Sequence, residues 1–143
     1  MEIVSRTFDE LDPVTAYRLW ELRSIVFVLE QECVYLDLDG RDLESVTRHV
    51  FAVEGGRPVA CLRVLDEPDG TARIGRVCVA RSHRSAGLAG RLMDRALSDI
   101  EGRVVVLDAQ TYLEAWYARL GFVRTGPDFL EDGMPHVPMR RTP

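Results

Sequence analysis

Apolar positions along the chain switch between a spacing of about two residues and one of about 3.6, and each switch marks an element boundary. Residues 1–8, MEIVSRTF, alternate and predict a first strand. Residues 12–31, DPVTAYRLWELRSIVFVLEQ, predict a helix with Asp12 as N-cap and Pro13 in the first helical position. Its expected apolar face carries Val14, Tyr17, Trp20 or Leu22, Val26 and Phe27. HVFAVEGG and RPVACLRVLDE predict two strands joined at Gly55-Gly56, and a turn at EPDG leads into a third, ARIGRVCVA. A helix is expected from Gly87 to Ile100, with Leu88, Leu92, Ala96, Leu97 and Ile100 on one side. RVVVLDAQ is almost uninterruptedly apolar, as in a strand covered on both faces. In TYLEAWYARLG, Leu113, Trp116, Tyr117 and Leu120 fall at i, i+3, i+4 and i+7, and Gly121 stops the helix. GFVRTG and PHVPMRR close the chain as a strand–turn–strand region.

This order predicts an α/β (mixed α+β) domain spanning residues 1–143. An antiparallel N-terminal meander is followed by one parallel βαβ step in a central mixed sheet, with helices on both faces. Apolar residues make up 46% and charged ones 29%, which fits a soluble globular chain and excludes a disordered one. No apolar run reaches a membrane span, and the N-terminus lacks the basic start and apolar core of a signal peptide, so a cytoplasmic protein is expected. Cys33, Cys61 and Cys78 form no CxxC pair, and His49, His83 and His136 have no ligand spacing, so no metal site is expected.

Charge changes the picture at one place. The chain carries a net charge of −5, yet the stretch from Arg73 to Arg95 holds six arginines and one acid, Asp94. The net acidity argues against nucleic acid as a partner. The basic stretch surrounds RSHRSAGLAG, a strand-to-helix turn. The first amides of a helix have no intrahelical partner, and the dipole adds positive potential there. Gly87, Ala89 and Gly90 let a ligand approach the backbone, and Arg84 offers a guanidinium fork. Together they describe a pyrophosphate cradle. A dinucleotide is the rival ligand, because a strand ending at Asp108 follows the turn. The GxGxxG fingerprint, however, needs glycine where the chain has Ser85, and one βαβ unit is short for a doubly wound fold.

Arg84-Ser85-Ala86-Gly87-Leu88-Ala89 resembles the Q/R-x-x-G-x-G/A signature of the GNAT superfamily of acetyl-CoA-dependent N-acetyltransferases. WYARLGFVRTG is similar to that family's aromatic-Tyr-x-x-x-Gly-Phe segment, and LRSIVFVLEQECVYLDLDGRD and EDGMPH resemble its ElaA-like branch. The resemblance spans roughly residues 15 to 139, with Val34 standing where the branch usually has proline. It implies that coenzyme A rests its pyrophosphate on amides from Arg84 to Gly90, Leu88 included, with its 3′-phosphate near the arginines. It implies further that pantetheine runs beside Val77-Cys78-Val79, and that this strand is splayed from the one ending at Gln110.

The chemistry then asks for three things. The amine must lose a proton, since an alkylammonium has a pKa of about 10 and no lone pair. The developing oxyanion needs donors, which unpaired amides near Val77 could supply. The leaving thiolate needs a proton or hydrogen bond, and Tyr117 matches the family's tyrosine in that role. The strand glutamate that serves many family members as base is missing from Arg73 to Val79, which leaves Glu30, Asp37, His49 and His136 as candidates, directly or through water. Cys33 as nucleophile of a ping-pong route ranks below direct transfer.

Glu30, Glu32, Asp37, Asp39, Asp42 and Glu44 form an acidic run that reads either as a solvated face or as an attractor for a cationic acceptor. The expected activity is transfer of acetyl from acetyl-CoA to a primary amine, small-molecule or peptide, in a ternary complex. No membrane partner is expected, and a homodimer is left open. Two other readings stand beside it: a non-catalytic acyl-CoA-binding or regulatory domain, and an NADP-type nucleotide-binding module.

Overall fold

The alternating first segment forms β1 (Glu2–Thr7) in the computed structural model, which describes residues 1–143. Asp12 caps α1 (Pro13–Arg23): its Oδ1 accepts from the Thr15 amide at 2.9 Å, and Pro13 takes the first helical position. The α-helix stops at Arg23, short of the expected length, and the backbone widens into a π-helical turn over Ser24–Glu30. The buried stripe also differs from the expected one. Ala16, Leu19, Leu22 and Val26 are buried, whereas Val14 and Tyr17 are 57% and 72% exposed. The cause is Arg23, which is 1% exposed and turned inward to Asp37 and Asp42, fixing the helix's rotation about its axis.

β2 (Arg48–Glu54), β3 (Arg57–Asp66) and β4 (Ala72–Val79) extend the meander. α2 (Leu88–Asp99) then crosses to β5 (Val105–Gln110). α3 (Glu114–Ala118) is shorter than its periodicity predicts, because Thr111–Leu113 takes a tighter 3₁₀ turn first. β6 (Val123–Arg124), β7 (Phe129–Glu131) and β8 (Met134–Arg141) complete the chain. One eight-stranded sheet runs β1-β2-β3-β4-β5-β8-β6, with β7 also on β8. Only β4 and β5 are parallel, as a mixed sheet with one βαβ step requires.

Each face of the sheet has its own apolar cluster. Val50, Leu62, Ile74, Val105 and Leu107 pack with Leu92 and Met93 of α2. On the opposite face, Phe51, Cys61 and Cys78 pack with Leu19, Leu22 and Val26. No helix of the protein is long and apolar enough to cross a membrane.

Two irregularities position the site. β4 and β5 pair only at Ala72–Val105 and Arg73–Val106, and beyond those residues they part. The β3–β4 register shifts between Cys61 and Arg63, and Arg76 on the facing strand adopts φ +55. A bulge of this kind bends its strand and leaves residues outside the ladder, here Arg76 and Val77.

Candidate active site

Where β4 and β5 part, a cleft of about 670 Å³ opens, walled on one side by Val77, Cys78 and Val79. Its mouth is the turn that leads into α2. Ser85 at φ +66 and Gly87 at φ +75 both adopt left-handed conformations, so the backbone curls and its amides converge. The backbone amides from Ser85 to Gly90 find no intramolecular acceptor, and the first bond closing α2 is Arg91 N–H to the Gly87 carbonyl at 3.1 Å. The N-cap residue is Gly87, which has no side chain to cap them. Ser85, Gly87, Leu88, Ala89 and Gly90 all line the cleft, while Ala86 sits exposed on the outside of the turn. The arrangement is an anion-binding concavity at a helix N-terminus.

The basic stretch is narrower than its composition suggests. Arg73 pairs with Asp108 and Glu67, Arg76 with Asp37 and Asp39, and Arg95 with Asp99. Arg81 and Arg91 are left without a carboxylate partner beside the turn, and Arg81 lines the cleft. The Arg84 guanidinium bridges two parts of the wall, with Nε donating to the Val79 carbonyl at 3.0 Å and Nη2 to Glu30 Oε1 at 2.5 Å.

Tyr117 of α3 also faces this cleft. Its ring is packed edge-on against Trp116 and Phe122, with centroids 4.9 and 6.0 Å away, and the residue is 6% exposed. The hydroxyl has no protein partner and is not among the buried unpaired atoms, so it meets the cleft. Burial, aided by Tyr112, pushes its pKa up to about 12.

The candidate bases fall in different places. Glu30 lines the cleft but is held by Arg84. Asp37 is buried between Arg23 and Arg76, at 2.9 and 2.8 Å. His49 does not reach the cleft: it is 2% exposed, lies edge-on to Trp20, and its Nε2 is 3.3 Å from the Asp42 carbonyl. Burial holds its imidazole below the ordinary histidine range. His136 lies opposite Gln110 in the β5–β8 register, donates from Nδ1 to the Met134 carbonyl at 2.8 Å, and stacks on Phe129, off the cleft wall. Cys33 is buried with Sγ 3.2 Å from Met134 Sδ. Gln110 reaches across to Gln31, itself a cleft residue, at 3.2 Å.

The acidic run is neither a solvated face nor an open cation attractor. Asp37, Asp39 and Asp42 interlock with Arg23, Arg63 and Arg76, Glu44 pairs with Arg41, and Glu30 with Arg84. Only Glu32 of the six lacks a basic partner. The arginines inside the apolar segments LRSIV, CLRVL and RIGRVCV were the available signal: buried arginines need carboxylates.

The sheet thus parts between its two parallel strands, with an anion-binding turn at the mouth of the gap. The profile of the acetyltransferase (GNAT) domain matches residues 27–143. The chain is 46% identical over 136 residues to a UPF0039 protein of Mycobacterium tuberculosis, covering 92% of this chain and 87% of that one. It is 36% identical to ElaA of Escherichia coli over 138 residues, 92% and 90% of the two chains, and the crystal structure of that ElaA superposes with a TM-score of 0.92. An acyl-CoA N-acyltransferase from Pseudomonas aeruginosa superposes with a TM-score of 0.94 at 39% identity, over 99% of this chain and all of the other. The chain belongs to the GNAT acetyltransferase family, in its ElaA-like branch.

Proposed function

We propose that the protein transfers acetyl from acetyl-CoA to a primary amine by direct attack in a ternary complex. The observation that carries this reading is the run of partnerless amides from Ser85 to Gly90 at the mouth of the gap between β4 and β5. Those amides fit a pyrophosphate, and Arg81 and Arg91 beside them fit a further phosphate. The edge of β4 from Val77 to Val79, free of β5, offers backbone groups to an extended pantetheine arm. Bound acetyl-CoA supplies an electrophilic thioester carbonyl. The irregular backbone at Arg76 and Val77 is the place where an amide can serve a developing oxyanion. The Tyr117 hydroxyl, free in the same cleft, hydrogen-bonds the departing sulfur. The P. aeruginosa acyltransferase supports the acyl-CoA assignment. The cytoplasm is the compartment we assign, following the unpaired cysteine count.

Two rival readings are weaker. A dinucleotide fold extends a parallel sheet on both sides of the turn, whereas β4 and β5 each have an antiparallel neighbour on their other edge. A non-catalytic acyl-CoA binder has no use for a partnerless tyrosine hydroxyl facing the thioester end. Free-thiol release from acetyl-CoA with a panel of small amines and N-terminal peptides separates the three. Amine-dependent release is the expected result. Acetyl-CoA binding with no release for any acceptor would establish the binder instead, and NADPH binding without acetyl-CoA binding the nucleotide module.

A further inference from the structure

Glu30 is the one carboxylate among the residues that line the cleft, and it is already paired. It ends the π-helical turn Ser24–Glu30, after which the Gln31 amide bonds back five residues to the Val26 carbonyl at 3.2 Å. From the turn before α2, the Arg84 guanidinium reaches Glu30 Oε1 through Nη2 at 2.5 Å and the Val79 carbonyl through Nε at 3.0 Å. Unlike the enclosed pairs of Arg23, this one is open to the cleft: the Glu30 side chain is 18% exposed and that of Arg84 41%. A half-exposed ion pair of this kind is weak enough to change partners.

A bound acyl-CoA competes for Arg84 twice. Arg84 begins the amide-lined turn, where a phosphate group can take two charge-assisted bonds from a guanidinium that now gives Glu30 one. The Val79 carbonyl that Arg84 occupies also belongs to the β4 edge offered to pantetheine. Once Arg84 turns to phosphate, Glu30 is left as a largely enclosed carboxylate without a cation, an unfavourable state unless another cation arrives. The neighbouring acids are not released in this way. Asp37 keeps Arg23 and Arg76, and Asp108 keeps Arg73. Glu32, two residues on, is exposed and outside the cleft, where water meets its charge. Of the other cations lining the cleft, His83 faces Glu54 at 3.2 Å, and Arg81 stands with the turn at the phosphate end.

We propose that Arg84 and Glu30 exchange partners as substrates bind: the acyl-CoA pyrophosphate takes Arg84, and the freed Glu30 holds the ammonium group of the acceptor. This rests on the acetyl-CoA reading above. One ion pair within the protein becomes two between protein and ligands, and no charge is left without a partner. Glu30 is thus a positioning residue that recruits the acceptor as a cation; the proton lost before attack passes to water. Until acyl-CoA is bound, Arg84 blocks the acceptor's carboxylate, so the acceptor binds well only second. Linkage makes the coupling reciprocal: if CoA tightens binding of the ammonium, the ammonium tightens binding of CoA by the same factor.

The test is calorimetric titration with CoA, which binds without turnover, in about 50 mM n-butylammonium chloride and in sodium chloride of equal ionic strength. Wild type is expected to bind CoA about fivefold or more tightly in the butylammonium salt. Glu30→Gln, nearly isosteric, should bind CoA about two- to fivefold more tightly than wild type in sodium chloride, because no carboxylate competes for Arg84, and should show no butylammonium effect. Arg84→Gln should bind CoA more weakly and also lose the effect, since its Glu30 is free from the start. Glu32→Gln should match wild type in both salts. Equal wild-type affinities in the two salts would overturn the exchange, as would weaker CoA binding by Glu30→Gln. A butylammonium effect that survives in Glu30→Gln, or disappears in Glu32→Gln, would give the ammonium to another group. Failure of wild type to bind CoA in either salt takes down the parent reading, and this one with it.

Discussion

Arg23→Met is expected to lower the unfolding midpoint by on the order of 10 °C at neutral pH, with no direct contact to the acetyl-CoA turn. The Arg23 side chain is enclosed and donates four hydrogen bonds: to Asp37 Oδ2 at 2.9 Å, the Asp37 carbonyl at 3.1 Å, and Asp42 Oδ1 and Oδ2 at 2.8 and 3.3 Å. Removing it leaves Asp42 buried with Arg63 as its one cation, and Asp37 with Arg76 as its one cation beside the Tyr35 hydroxyl. Breaking a buried pair from one side costs about 3–5 kcal/mol. At about 2–4 °C per kcal/mol for a chain of this size, the midpoint shift follows.

Acid narrows the difference. Burial raises the Asp42 carboxyl, but the hydrogen bonds and charge of Arg23 and then Arg63 outweigh it and hold the group below the ordinary range. Asp39 is held lower still, chiefly by its hydrogen bond from Arg63. Carboxyls depressed in the folded state stabilise it fully above their unfolded value of about 3.9, and that contribution is lost as the pH falls through the folded values. Wild type and Arg23→Met should therefore converge as the pH falls below about 4. Urea unfolding at several pH values reads this directly. A difference below about 1 kcal/mol at neutral pH, or one that acid does not change, contradicts the interlocked network.

Tyr117→Phe is expected to lower kcat by about 10–100-fold while leaving acetyl-CoA affinity within about twofold. The magnitude follows from the pKa, which burial raises to about 12. Passing a proton from such a phenol to a thiolate of about 8.5 is uphill by roughly 5 kcal/mol, so the group acts as a hydrogen-bond donor to the sulfur, not as a full acid. A donor in an enclosed site contributes a few kcal/mol at the transition state, less than an essential acid. Single-turnover thiol release and calorimetry on the variant separate chemistry from binding. An unchanged kcat would return Tyr117 to a packing role, and a parallel loss of affinity and stability would show that the ring, not the hydroxyl, is what matters.

Much of this was legible from local pattern. Asp12 and Pro13 start α1, Gly55-Gly56 joins β2 to β3, and the strand from Val105 lies where the apolar run placed it. The turn into α2 was legible as well, because glycine and arginine beside a helix start have direct electrostatic meaning. What local pattern missed was set by distant partners. Arg23 meets carboxylates 14 and 19 residues away, and Arg76 meets Asp37 across 39 residues. Those contacts rotate α1, use up the acidic run and shape the bulge in β4.

The most direct test of the central claim is thermal unfolding with acetyl-CoA, coenzyme A, NADPH or ATP, in the wild type and in Arg84→Glu. A ligand at about 100 times its Kd adds about 2.7 kcal/mol to stability, a rise of several degrees. Acetyl-CoA and coenzyme A are expected to raise the wild-type midpoint by that amount, NADPH and ATP by much less, and the rise should vanish in Arg84→Glu, where a carboxylate replaces the guanidinium beside the amide-lined turn. Stabilisation by NADPH with none from acetyl-CoA would contradict the account and give the turn between β4 and α2 to a different ligand.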